Sequence, residues 1–230
     1  MYYRIISNKQ TIIKKAELIM KYNVAFKHLE KITKNASGTR HVLKGIHHLD
    51  NQVQATDSYR LLKVVADKMN FDEHILDTKS QTEIDGKYPN TTQLADHSFY
   101  EGETIGLTVT DIKLIRDLIK VAKGMKFEMV VINTLSDYSR LEMTNKTQSN
   151  NTKELNETLE KINLSYKLSN HLHTEYNYNY LIDINYALEI FEFLVDTKKD
   201  TMIKLNNNNQ PIHFLNDDYD YMVMPIRNTK

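Results

Sequence analysis

The chain has 230 residues, 40% hydrophobic and 26% charged, which suits one large or two modest globular domains and excludes a disordered or scaffold-stapled peptide. Thirty Lys and Arg balance thirty Asp and Glu, so net charge gives no reason to expect an indiscriminate polyanion binder, and any nucleic-acid contact must come from a local patch. The absence of cysteine excludes disulfides and thiolate metal sites.

No apolar run reaches the ~18 residues of a spanning helix, and MYYRIISNKQTIIKK lacks the apolar stretch and cleavage site of a signal peptide, so a cytoplasmic protein is expected. Residues 11–34 lack Gly and Pro and place Val24, Ala25, Leu29 and Ile32 at helical spacing, which predicts a helix ending before NASG at 35–38. HVLKGIHHL (41–49) and the VQAT and YRLLKVV segments within 53–65 read as strands, with Asp50-Asn51 as a hairpin turn. HILDTKSQTEID (74–85) reads as a third extended run, and GKYPNTTQL (86–94) as a turn or linker marked by Gly86 and Pro89.

From residue 103 the order begins again. ETIGLTV reads as a strand, TDIKLIRDLIKVAKGM as a helix capped by Thr110 or Asp111, and FEMVVINTL and YSRLEMT as strands. The polar stretches TNKTQSNNTKELNE (144–157) and NNNN (206–209) read as loops. INLSYKL then predicts a strand, residues near 180–197 a helix, and TMIKLN, PIHFLN and YDYMVMPIR three closing strands. Three passes of strand, helix and hairpin strands predict a repeated α+β architecture, divided here into domains 1–98 and 99–230.

Few constellations offer chemistry. Lys113, Arg116, Lys120 and Lys123 recur at i, i+3, i+7 and i+10 and form a cationic stripe suited to phosphates, opposite an apolar face of Ile112, Ile115, Leu118, Ile119 and Ala122. Lys27, Lys31 and Lys34 form a weaker stripe on the first helix, with Lys14, Lys15 and Lys21 upstream, whereas Glu189, Glu192 and Asp196 give the last helix the opposite sign. His47 and His48 in GIHHLD are adjacent in a strand and point to opposite faces, which disfavours a shared metal ion; only a helical 41–50 would make them converge into a phosphohydrolase centre. His171 and His173, with Glu175, read as loop or edge residues. No GxxxxGK[ST], GxGxxG or GxSxG occurs, so no catalytic residue, metal or cofactor is assigned. Asp57 and Arg60 suit a structural ion pair. Along YDYMVMPIR, period two sets Tyr219, Tyr221 and Val223 against Met222, Met224 and Ile226, predicting one core face and one surface face.

Two segments, ATDSYRL (55–61) and YMVMPIR (221–227), together resemble the ATD-x-x-RL and C-terminal V-MP-x-R signatures of bacterial replicative sliding clamps. HVLKGI resembles the strand before ATD in those clamps, GKYPNTTQL their inter-domain passage, and YNYNYLIDINYAL the lead-in to their last helix. The resemblance runs from about residue 24 to the C-terminus and corresponds to the middle and last clamp domains. It implies the DNA-clamp fold, with helices lining a ring around duplex DNA and an outer antiparallel sheet. It also implies a non-enzymatic processivity factor in DNA replication, bound to polymerase and clamp loader through short peptides.

The implied peptide groove comprises Thr56, Ser58, Tyr59, Arg60 and Leu61, then Asn177, Tyr180 and Pro211, and finally Met222, Met224, Pro225, Ile226 and Arg227. Within it, Leu61, Met222, Met224, Pro225 and Ile226 would supply apolar contact, and Arg60, Arg227 and Tyr180 orientation. Tyr59 stands where the family usually has histidine and Ser58 where it has glycine; the stretch before GKYPN is too short for a full domain's second helix. That reduction resembles phage clamps, whose two-domain subunits form trimeric rings, so a homotrimer is expected, with a dimer as the alternative. The rival reading is a clamp-derived adaptor or inhibitor that keeps the groove without closing a ring.

Overall fold

The computed structural model describes residues 22–66, 70–92, 103–134, 138–145, 153–168, 170–171, 179–206 and 210–226. The chain divides into two compact units, residues 1–90 with 217–219 and residues 91–216 with 220–230.

In the first unit, helix α1 (22–35) buries Ala25, Leu29 and Ile32, one face of a 3.6-residue period. Residues His41–Lys44 form a 3-10 turn rather than the predicted strand, and β1 begins only at Gly45. A Cβ at Gly45 would lie 2.5 Å from Ile75 Cγ2 and 3.0 Å from the Leu76 carbonyl, so glycine is what permits this close strand approach. Strands β1 (Gly45–Asp50), β2 (Gln52–Thr56), β3 (Arg60–Val65) and β4 (Phe71–Asp77) form an antiparallel sheet in the order β4-β1-β2-β3. The predicted turn at Asp50-Asn51 is present, with Asp50 at φ 51°. The extended run predicted to continue to residue 85 stops at Asp77, because Asp77 Oδ1 accepts the Lys79 and Ser80 N–H groups at 2.8 Å each. The chain then folds back along β4, where the Ile84 N–H donates to the Ile75 carbonyl. At the other margin the Val65 N–H donates to the Asp218 carbonyl.

The second unit comprises β5 (Glu103–Leu107), α2 (Val109–Gly124), β6 (Met129–Thr134), β7 (Ser139–Thr144), α3 (Lys153–Leu159), β8 (Ser165–Leu168) and β9 (Asn170–His171). It continues with β10 (Asn179–Asp183), α4 (Ile184–Thr197), β11 (Thr201–Leu205), β12 (Ile212–Asn216) and β13 (Tyr219–Val223). Its strands make two sheets, in the orders β13-β12-β11-β5-β9 and β10-β6-β7-β8. The strand, helix, two-strand order therefore occurs twice in this unit, giving the expected α+β repeat.

Three boundaries differ from expectation. Helix α3 occupies part of the polar stretch read as loop, anchored by buried Leu159. Residues 179–183 pair with β6 instead of opening a helix, and α4 starts after Asp183, whose side chain caps the Asn185 N–H. The cap of α2 is Thr108, not Thr110 or Asp111. Thr108 Oγ1 accepts the Asp111 N–H at 3.2 Å and Asp111 Oδ2 accepts the Thr108 N–H at 2.8 Å, a reciprocal capping box.

Ile112, Ile115, Ile119 and Ala122 of α2 are buried, as are Ile190, Phe191 and Leu194 of α4, and the two helices pack together. Tyr166 on β8 donates to Asp111 Oδ1 at 2.6 Å and ties the start of α2 to that strand. Burial opposes ionisation of Asp111, but the bonds from Tyr166 and Thr108 outweigh it and hold the carboxyl below its usual 3.8. A carboxyl with a depressed folded-state pKa contributes stability above its unfolded value, and that contribution is lost as pH falls through the folded value. Asp111→Asn should lower Tm at neutral pH and flatten the fall of Tm below pH about 4, as read by thermal unfolding across a pH series.

Candidate functional site

The turn between β2 and β3 is built from its own side chains. Asp57 Oδ1 accepts the N–H groups of Tyr59 and Arg60 at 3.0 Å each, and Asp57 Oδ2 accepts Arg60 Nε–H at 2.9 Å. Both side chains of that ion pair are essentially inaccessible, at 0% for Arg60 and 1% for Asp57. Thr56 Oγ1 donates to the Arg60 carbonyl at 2.7 Å and accepts the Ser58 N–H at 3.1 Å. These bonds hold Ser58 at φ 81°, a left-handed conformation that costs an L-residue about 1–2 kcal/mol. The same position holds glycine in the clamps that the motif resembles, and glycine adopts that φ without strain. Tyr59 is thereby presented at the tip, 63% exposed.

Two further residues join this turn that the motif does not contain. Arg40 Nη1 donates to Ser58 Oγ at 3.1 Å, and the Tyr88 hydroxyl accepts the Thr56 N–H at 3.0 Å. Arg40 has no local signal, since it acts across 18 positions. Tyr88 had one, an aromatic residue in an otherwise polar passage, but Gly86 and Pro89 made the passage read as a linker.

The predicted groove residues divide between the units, and each set is described on its own. In the first, Ser58 and Tyr59 are exposed and Thr56 half-buried, whereas Arg60 and Leu61 are buried. In the second, Tyr180 and Met222 are buried, Pro211 and Met224 half-buried, Pro225 buried, and Ile226 40% exposed. Asn177 and Arg227 lie outside the described residues, as do Lys14, Lys15, Lys21, His173 and Glu175.

Leu61 and Met222, expected to offer contact area, and Arg60 and Tyr180, expected to orient a ligand, are all buried. The reason for Met222 lies in β13, where all five residues are buried and neither face is open. Tyr221 meets Phe193 of α4 edge to face at 5.6 Å. Asp220, on the opposite side, accepts His213 Nδ1–H at 3.0 Å. After β13 the chain passes the edge of β10, where the Ile226 N–H donates to the Leu181 carbonyl at 2.8 Å.

On α2, Lys113, Lys120 and Lys123 are exposed and Arg116 half-buried. Arg116 Nε lies 2.7 Å from Asp117 Oδ1, and Lys120 Nζ lies 3.9 Å from Glu192 Oε1 on α4. Four cations on α2 meet Asp111 and Asp117 on the same helix and Glu189, Glu192 and Asp196 on α4, so the helix pair is not net cationic. Leu114 and Val121, 51% and 54% exposed, lie on the flank of the stripe. On α1, Lys27 and Lys34 are exposed, Lys31 half-buried, and Lys34 pairs with Glu30 at 3.1 Å.

The histidines of GIHHLD lie in a strand and take opposite faces. His47 stacks on Tyr88 (4.5 Å, 12°), accepts Gln54 Nε2–H at Nδ1, and turns Nε2–H toward Glu73 Oε1 at 3.1 Å. His48 accepts the Tyr22 hydroxyl at Nε2 and stacks on His74 at 4.4 Å. Burial first, and the neighbouring His74 second, bring the His48 pKa down to about 4, so the ring is neutral at physiological pH. His48 and His74 each bond through Nδ1 to the carbonyl two residues back on antiparallel strands, so their remaining nitrogens face apart. Among the described residues no group of three His, Cys, Asp or Glu converges for a metal ion, and no helix is long and apolar enough to cross a membrane.

The decisive comparison is with solved structures. A Helicobacter pylori β clamp bound to a DNA ligase peptide superposes with a TM-score of 0.65 at 15% identity, over 90% of this chain and 63% of the other. The chain has the bacterial sliding-clamp fold. The DNA polymerase III β chain of Streptococcus pneumoniae matches at a TM-score of 0.65 and 15% identity, over 88% of this chain and 63% of that one. The Caulobacter crescentus β sliding clamp matches at 0.64 and 13%, over 89% and 63%. This clamp-fold chain thus spans less than two thirds of the clamps it matches. No family model matches it, and no curated protein does so either.

Removing one member of a buried ion pair leaves the other charge unpaired and costs about 3–5 kcal/mol. Arg60→Met should lower the denaturant midpoint correspondingly at unchanged m-value, whereas Tyr59→Ala should leave the midpoint nearly unaltered.

Proposed function

We propose that this chain is the subunit of a sliding clamp, a non-enzymatic ring that holds a DNA polymerase on duplex DNA inside the cell. The observation that carries the reading is the clamp fold extending over about nine tenths of the chain. A homotrimer is the assembly favoured, because a chain with two compact units needs three copies to supply six. Strand β8 and the first half of β4, ahead of the 75–77 stretch with which residues 82–84 already pair, lie at the margins of their sheets, and Asp72 and Glu73 on β4 complement the charge of Lys167 on β8. Light scattering coupled to size exclusion should give about three times the chain mass, and a strict monomer at micromolar concentrations would refute the ring.

A ring retains DNA by topology, so it needs few phosphate contacts, and the compensated helix layer accords with that. On α2, Lys113 and Lys123 carry no ion pair among the described residues, which leaves a log–log salt slope of about −1.8 per subunit. Reversing both charges should reduce loading on DNA while leaving assembly intact; unchanged processive synthesis by that variant would remove α2 from the DNA interface. The same weak charge also favours the second reading, an adaptor that binds replication proteins without encircling DNA.

The exposed Tyr59 tip of the first unit, and separately Met224 and Ile226 of the second, are the candidate partner-contact residues. A short peptide with one or two bulky apolar anchors would bury each for about 1.5–3 kcal/mol. The ligase peptide of the Helicobacter pylori clamp is a suitable probe. Met224→Ala should weaken its binding by a few-fold to a hundred-fold in calorimetric titration, and an equal affinity in the folded variant would remove Met224 from the groove.

A further inference from the structure

The passage from Asp85 to Asn90 has the composition of a linker but is fastened into the unit at Tyr88. Tyr88 is only 5% exposed and packs in a cluster with Leu43 and Ile75, flanked by half-buried Ile84. Its ring lies flat on His47, which is itself held on both sides, by Gln54 Nε2 at 2.8 Å and by Glu73 Oε1 at 3.1 Å. The Tyr88 hydroxyl therefore stands on a rigid base, and it accepts the Thr56 N–H at 3.0 Å.

Thr56 is the residue through which the turn is set. Its hydroxyl joins both ends of the turn, donating to the Arg60 carbonyl and accepting the Ser58 N–H, and so holds Ser58 in its left-handed conformation and Tyr59 outward. A shift of the Thr56 backbone moves each of these bonds. Resting on the reading of this turn as part of the partner-peptide surface, we infer that Tyr88 is a positioning residue for that surface: its hydroxyl holds the Thr56 backbone and so sets the presentation of Ser58 and Tyr59 to an apolar-anchored peptide. The buried phenol suits this task, because burial pushes its pKa well above the usual value and keeps the hydroxyl neutral at any physiological pH. Phenylalanine at this position would keep the stack on His47 and leave the Thr56 N–H without its acceptor.

The test compares two variants of the full chain by calorimetric titration with the ligase peptide, at a temperature where unfolding curves show both fully folded. Tyr88→Phe removes the hydroxyl alone. Ile75→Val trims the same apolar cluster without touching the hydrogen bond, and costs a comparable amount of stability. Tyr88→Phe should weaken peptide binding about three- to tenfold, the loss of roughly one hydrogen bond's net contribution. It should also speed exchange of the Thr56 amide, while Ile75→Val leaves both nearly unchanged. Combined with Tyr59→Ala, the Tyr88→Phe effect on affinity should largely disappear, because the two act through one surface. Equal affinities for parent and Tyr88→Phe, or an equal loss in Ile75→Val, would overturn the inference and leave Tyr88 a packing residue. If the parent itself does not bind the peptide, the partner-surface reading falls and the inference with it.

Discussion

Asp57 and Arg60 are buried together, and the local structure of the first unit is organised around that fact. A guanidinium without access to water is tolerated only when a carboxylate faces it and hydrogen bonds take up the remaining polar atoms. Asp57 supplies that carboxylate, accepting Arg60 Nε–H and the backbone N–H groups of Tyr59 and Arg60, so its position is fixed by three bonds to those two residues. The turn that results is a consequence of charge burial rather than of glycine or proline. It is stiff enough to hold Ser58 in an unfavourable conformation and an aromatic ring in solvent. Strain kept in this way, beside an exposed apolar side chain, is characteristic of surfaces that bind something.

The rest of that unit supports the turn from two sides. Helix α1 covers one face of the sheet through Tyr22 and His48, and the segment around Tyr88 covers the other through His47. Adjacent histidines can serve both faces because strand geometry sends them apart. In the second unit the corresponding support is the pairing of α2 with α4. The capping box at Thr108, tied through Asp111 to Tyr166, fixes where α2 begins relative to β8.

Electrostatics separates a clamp from an ordinary DNA-binding domain. A protein that holds DNA by affinity needs a strongly positive face, and its binding falls steeply with salt. The α2 and α4 layer has nearly equal numbers of both signs, with Arg116 and Lys120 already engaged by carboxylates. Such a layer would let DNA move easily past it. Retention would then have to come from enclosure, and for that reason the assembly state is the property on which the functional reading turns.

The sequence by itself determined the α+β class, the main helices and most strands, because these depend on local quantities: apolar period and turn residues. Ile112, Ile115, Ile119 and Ala122 face inward as their spacing requires, and Asp50-Asn51 turns the chain where its residues favour a turn. Two short segments, ATDSYRL and YMVMPIR, also carry the resemblance to the clamp fold. Only the tertiary structure decided which site residues are accessible and which cations are compensated. Met222 belongs to the groove that the resemblance implies, yet every residue of β13 is buried. Tyr88 looks like part of a linker, yet it lies against His47 and bonds to Thr56 32 positions away. Lys120 belongs to a stripe on its own helix, yet its nearest carboxylate is on α4. In each case the deciding neighbour is remote in the chain, and burial and pairing are properties of what folding brings near rather than of what the sequence places alongside.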